Sequence, residues 1–179
     1  ATPANFALTH LAGAASAVSS ASGTPQSATV NTAFATMLGV VVTDASSNPV
    51  AGITVAFTAP SSGASATFPA GATATTDASG YAQIAADANT VAGSYTVGAH
   101  VNGTSASASF VLTNTAGPAA LASPVSGTPQ SAQVSTAFAA PLGVLVEDAY
   151  GNPSDGVTVT FTAPTLGASA IFPPNGSST

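Results

Sequence analysis

The sequence has no lysine, arginine, cysteine or tryptophan in its 179 residues. Each absence removes a class of chemistry. Nucleic-acid binding depends on Lys and Arg neutralising phosphates, so no nucleic-acid partner is expected. A polybasic attachment to anionic lipid fails for the same reason. Without Cys there is no disulfide and no thiolate metal site, and the redox compartment cannot be read. Without Lys there is no Lys-to-Asn/Asp isopeptide crosslink, and trypsin-like proteases find no cleavage site. Stability has to come from packing and hydrogen bonds. No apolar run reaches the roughly 20 residues of a membrane helix, so no membrane insertion is expected in this segment. Residues 1–30 lack the charged start and long apolar stretch of a signal peptide.

What is present is apolar and nearly uncharged. Six acidic residues and two His give a net charge of −6, and only 3% of residues are charged, against about 25% in an average domain. Disorder goes with low hydrophobicity and high net charge. Here 45% of residues are hydrophobic, with Ala leading and only 6% aromatic. The sequence reads as folded, around a thin core.

The chain repeats itself. Ser22-Gly23-Thr24-Pro25-Gln26-Ser27-Ala28 recurs as Ser126-Gly127-Thr128-Pro129-Gln130-Ser131-Ala132, 104 positions on. At that offset residues 1–75 lie over 105–179 without a gap, and 42 of the 75 pairs are identical. Phe6/Phe110, Phe34/Phe138, Leu38/Leu142, Asp44/Asp148, Asn48-Pro49/Asn152-Pro153 and Phe57/Phe161 are paired landmarks. A period of this size means a tandem array. Residues 1–12 read as the last strand of a preceding repeat, 13–116 as a complete repeat, and 117–179 as the N-terminal part of the next.

Within the complete repeat the dominant period is two. Leu38, Val40 and Val42 alternate across a strand whose counterpart keeps Leu142, Val144 and Val146 apolar while Thr43 becomes Glu147. Positions 38, 40 and 42 are therefore expected to face the core and 43 to face water. Ala15, Ala17 and Val18 suggest an edge strand, which Gly23-Thr24-Pro25 interrupts, and Val30–Phe34 resumes extended chain. Ile53, Val55 and Phe57 alternate in a half-buried strand, and Ala64–Phe68 forms a short one. Asp77-Ala78-Ser79-Gly80 suggests a hairpin turn between 73–76 and 81–86. Asn102-Gly103 is a stronger hairpin signal, joining Tyr95–Val101 to Ala106–Asn114. No segment sustains a period of 3.6. Roughly seven short strands in about 100 residues describe an all-β, immunoglobulin-like β-sandwich, here as tandem repeats of 104 residues.

The stretches Leu38–Asp44, Asn48–Phe57, Ala64–Phe68, Thr75–Gly80 and Ala92–Val97 resemble the bacterial Ig-like domains of the invasin and intimin group. Together they carry the pattern VTDA-x-x-NPV-x-G-x-x-V-x-F and a T-D-A-x-G turn. The resemblance covers 13–116 and the visible part of the next repeat. It implies a structural, adhesive role at the bacterial cell surface or outside the cell, and it brings no catalytic residues.

No catalytic site and no cofactor are expected from the residues themselves. His100 falls on the polar side of its strand, and His10 is replaced by Asn114 one repeat later, as a surface position would allow. No Gly-x-Ser-x-Gly elbow, phosphate loop or His-rich motif is present. Calcium needs six to eight converging oxygens. Its candidates are Asp44, Asp77, Asp148 and Asp155, with Asp44 and Asp148 joined by Asp77 or Asp155 at an inter-domain site. Their spacing matches no calcium loop, and Asp at a strand end more often caps a turn.

Three functional readings follow. The first is the stalk or spacer of an adhesin, whose partners are the neighbouring Ig-like repeats and whose short junction Thr115–Pro118 limits bending. The second is a self-assembling filament or sheath in which identical chains pair at edges that no Lys protects. The third is a glycan-binding accessory module, which three Tyr and no Trp serve poorly.

Overall fold

Alternating side chains place one row on each face of a strand, and a computed structural model shows where each row goes. It describes residues 3, 5–7, 11–172 and the backbone of 177–178. The chain divides into two compact units, Ala1–Thr115 and Ala116–Thr179. In the first, the strands are β1 (Ala17–Ser22), β2 (Gln26–Thr29), β3 (Leu38–Thr43), β4 (Thr54–Thr58) and β5 (Ala66–Thr67). They continue as β6 (Thr73–Thr75), β7 (Tyr81–Ile84), β8 (Asp87–Ala88), β9 (Gly93–Val101) and β10 (Ser107–Thr115).

Two sheets enclose the core, one ordered β1-β3-β7 and the other β2-β10-β9-β4-β6. This is the Ig-like sandwich. Leu38, Val40 and Val42 of β3, Val55 and Phe57 of β4, Val97 and Ala99 of β9, and Phe110 and Leu112 of β10 are all at most 3% exposed. Period two is kept, and Thr43 is only partly exposed. Phe110 sits 6.0 Å from Phe57, ring centre to ring centre. Strand β10 binds the sheet together, pairing antiparallel with β9 and parallel with β2.

The recurring heptapeptide turns the chain from one sheet to the other. It ends β1, which pairs with β3, and begins β2, which pairs with β10. Gln26 holds the turn: its amide donates to the carbonyls of Gly23 (2.9 Å) and Thr36 (2.7 Å) and accepts from the Thr36 N–H (3.1 Å). Gly23 has φ 82°, and a Cβ there would lie 2.5 Å from the Met37 carbonyl. Gln130 and Gly127 repeat this geometry. Composition alone explains none of this; the recurrence marks a turn whose hydrogen bonds need these side chains.

Three sequence expectations change. The extended chain expected over Val30–Phe34 comes earlier, as β2. Residues 30–32 turn instead, with Asn31 at φ 58° and the Thr32 N–H on the Thr29 carbonyl at 3.1 Å. Asp77–Gly80 is a turn, closed by Gly80 N–H to the Asp77 carbonyl at 2.9 Å, but not a hairpin. Its two flanking strands go to different sheets, β6 to β4 and β7 to β3. The last-strand expectation for 1–12 lies partly outside the described residues. Pro3, Asn5–Ala7 and Leu11–Ala12 form no strand, and Phe6 and Leu11 are 84% and 89% exposed. The 102–103 hairpin is present, with Gly103 at φ 79° and His100 opposite Ser107.

The second unit contains β11 (Ala119–Ser126) antiparallel to β12 (Gly143–Asp148), and β13 (Val159–Thr160) paired with β14 (Ser177–Ser178). Leu142 is 45% exposed where Leu38 is 0%, and Phe138 is 48% exposed where Phe34 is 7%. In this chain, Leu38→Ala should cost about 2–5 kcal/mol, the range for a buried leucine. A urea titration followed by circular dichroism checks it.

Candidate functional site

Two polar constructions stand out from the sandwich. The first is a carboxylate latch where each repeat begins. Asp44 follows β3, where the chain must turn. Its Oδ1 accepts N–H bonds from Ser46 (2.8 Å) and Asn48 (2.9 Å), the pattern of a carboxylate capping its own turn. The Asn48 amide adds bonds to both oxygens at 3.2 and 3.0 Å. Its Oδ2 reaches across 31 residues to the Gly13 N–H at 2.8 Å. Asp148 does the same for the second unit, accepting from Gly117 (2.8 Å), Tyr150 (2.8 Å) and Asn152 (2.9 Å).

These donors favour the ionised form. The Asn48 side chain, then the Gly13 N–H, hold the Asp44 carboxyl down at about 2. For Asp148 burial pushes upward, but the Asn152 side chain and the Gly117, Asn152 and Tyr150 N–H groups outweigh it and the net shift is downward. Asp77 caps its own turn, lowered by the Ser79 hydroxyl and the Tyr81 N–H. Asp155 is exposed. The four calcium candidates thus occupy separate turns, and among the described residues no three His, Asp or Glu gather. Gly13–Ser16 and Asp44–Ser46 line an open cleft with Thr104 and Ser105 of the β9–β10 loop. His100 sits half-buried on β9 opposite Ser107 and Ala56. His10 lies outside the described residues.

The second construction is a buried amide hub that the sequence reading placed wrongly. Asn114 is only 2% exposed, not a surface position. Its side-chain nitrogen faces the Asn89 Oδ1 (2.9 Å) and the carbonyls of Ser65 (3.0 Å) and Val91 (3.1 Å). Its oxygen accepts the Tyr95 hydroxyl at 3.0 Å. Burial drives the Tyr95 phenol up to about 12, with the Asn114 bond pulling the other way. Asn89 ties in the neighbouring loop by donating to the Gly63 carbonyl at 2.8 Å. The missed signal is the period itself: 110, 112 and 114 share the inward face of β10.

Both constructions give measurable outcomes. Asp44 is depressed in the folded state, so its contribution is complete above about pH 4 and is lost as pH falls through about 2. Thermal midpoints should therefore drop between these values, and Asp44→Asn should lower the midpoint at pH 5 while flattening the acid slope. Asn114→Ala leaves several buried groups unpaired, which should cost about 2–4 kcal/mol. Combined with Tyr95→Phe in a double-mutant cycle, it should show a coupling of roughly 1 kcal/mol.

The sequence model of the bacterial Ig-like domain (group 1) family matches residues 18–115. The chain is 38% identical over 141 residues to the inverse autotransporter adhesin YeeJ of Escherichia coli K12. That alignment spans 76% of this chain but only 6% of YeeJ. Among solved structures, the Escherichia coli adhesin FdeC superposes with a TM-score of 0.51 at 21% identity, covering 93% of this chain and 55% of that one. The integrin-binding bacterial protein invasin is 28% identical with a TM-score of 0.43, covering 82% and 29%. The family match runs from the second residue of β1 through the end of β10, and the resemblance read from the sequence motifs is met. The chain belongs to the bacterial Ig-like domain (group 1) family.

Proposed function

We propose that this chain is a spacer segment of a bacterial surface adhesin, in which repeats joined in series hold a binding end away from the cell. The observation that carries this reading is the junction between the repeats. Thr115 is fixed within the first unit, its carbonyl accepting the Val30 N–H (2.9 Å) and its hydroxyl donating to the Ala28 carbonyl (3.2 Å). Gly117 is fixed within the second by Asp148. Only Ala116 lies between two anchored residues. A one-residue connection leaves few free dihedrals, so bending is restricted.

A spacer also needs its two ends at opposite poles. Gly13 shares its cleft with Thr104 and Ser105, beside the start of β10, whereas the chain leaves the unit at the end of β10. The nine residues of β10 separate these points, roughly 30 Å of extended strand. The kinship with an adhesin agrees with a surface role.

Because the chain has no Cys, spin labels on Ser109→Cys and Thr160→Cys are unique. The distance distribution between them should be narrow, and six Gly-Ser residues inserted after Ala116 should broaden it markedly. A distribution already as broad without the insertion would remove the spacer reading.

A further inference from the structure

Strand β2 and the last strand of the first unit, β10, are paired in an unusual direction for this sandwich. Every other pairing among its strands is antiparallel, but β2 and β10 run parallel, with Gln26, Ser27, Ala28 and Thr29 opposite Leu112, Thr113, Asn114 and Thr115. Strand β2 belongs to the start of the repeat and β10 is its last element. Tension applied through the chain pulls β2 by its beginning and β10 by its end. Parallel neighbours loaded this way slide along each other, so every hydrogen bond between them is strained together. Antiparallel neighbours joined by a hairpin and pulled at their two free ends would instead open one bond at a time.

From this geometry we propose that the β2–β10 pairing is a force-bearing clamp, set to resist tension carried along the chain. Side chains reinforce it at both ends. At one end the Val111 N–H donates to the Thr24 hydroxyl at 2.8 Å, a bond between residues 87 positions apart. At the other, Thr115 donates to the Ala28 carbonyl, and the Val30 N–H extends the ladder one step past the strand. The buried Asn114 bonds then pin β10 to the loops at 65, 89 and 91, at the point where load arrives. Ahead of the clamp lie the Asp44–Gly13 latch and the β1–β3 pairing. These yield first, so the clamp breaks as a second event.

The proposal deepens the spacer reading and takes its biological meaning from it, but the mechanics are tested separately. In the full chain, Ala12→Cys with Ala116→Cys attaches handles that shear β2 against β10. Thr29→Cys with Ala116→Cys attaches them at one end of the pair and unzips it. Single-molecule pulling should give a several-fold higher unfolding force for the first pair, reached after a smaller early extension. Thr24→Val, at the end remote from the unzipping handles, should lower the shear force while leaving the unzipping force unchanged. Equal forces in the two directions, or a Thr24→Val change that weakens both alike, would overturn the clamp. Neither outcome bears on the width of the inter-label distance that tests the spacer reading, so the two can fail independently.

Discussion

Each repeat depends on its last strand. Strand β10 is the only one bonded to both the beginning of the repeat (β2) and the hairpin partner that precedes it (β9). It carries Phe110, Leu112 and Asn114 inward, all at most 2% exposed. With no Cys, Lys or Arg in the sequence, neither disulfides nor Lys or Arg ion pairs hold the core. Burial of a few large side chains against one another is what remains, at about 25 cal/mol for each Å² taken from water. Leu38 and Phe34, buried in the first unit, pack in the core that Phe110 and Leu112 of β10 complete.

The turns behave differently. The Asp148 latch and the Gln130 turn repeat the geometry of Asp44 and Gln26. Their bonds link residues within a stretch of about thirty positions and need no packed core. Hydrogen-bonded turns of this kind are local, and the cooperative part of the structure is the sandwich. This separation assigns two tasks within one repeat: latches fix where the chain enters and leaves, and the packed sheets carry the stability between.

Much of this was legible in the sequence. Leu38, Val40 and Val42 alternate so regularly that their inward face followed from period two, and Asn102-Gly103 marked the hairpin. The repeat offset disclosed Asp44 and Asp148 as a matched pair. The hub at Asn114 is not legible from residue type or from its His10 counterpart, because position on the Phe110–Leu112 face decides its burial. Nor did Asp77–Gly80 reveal that its strands part: a four-residue turn is written the same way whether the flanking strands pair or change sheets. The short β5–β8 pairing lacked any alternation long enough to see. The parallel β2–β10 pairing joins residues more than eighty positions apart, beyond the reach of local patterning.

The claim that β10 closes the core is tested most directly by hydrogen exchange within a single chain. Strand β3 faces β10 across the core, and Phe110 of β10 is fully buried there. Amides of β3 are expected to be strongly protected in the unaltered chain and to exchange orders of magnitude faster in Phe110→Ser, while the Gly13 amide held by Asp44 keeps its protection. Protection of β3 that survives Phe110→Ser would contradict the claim.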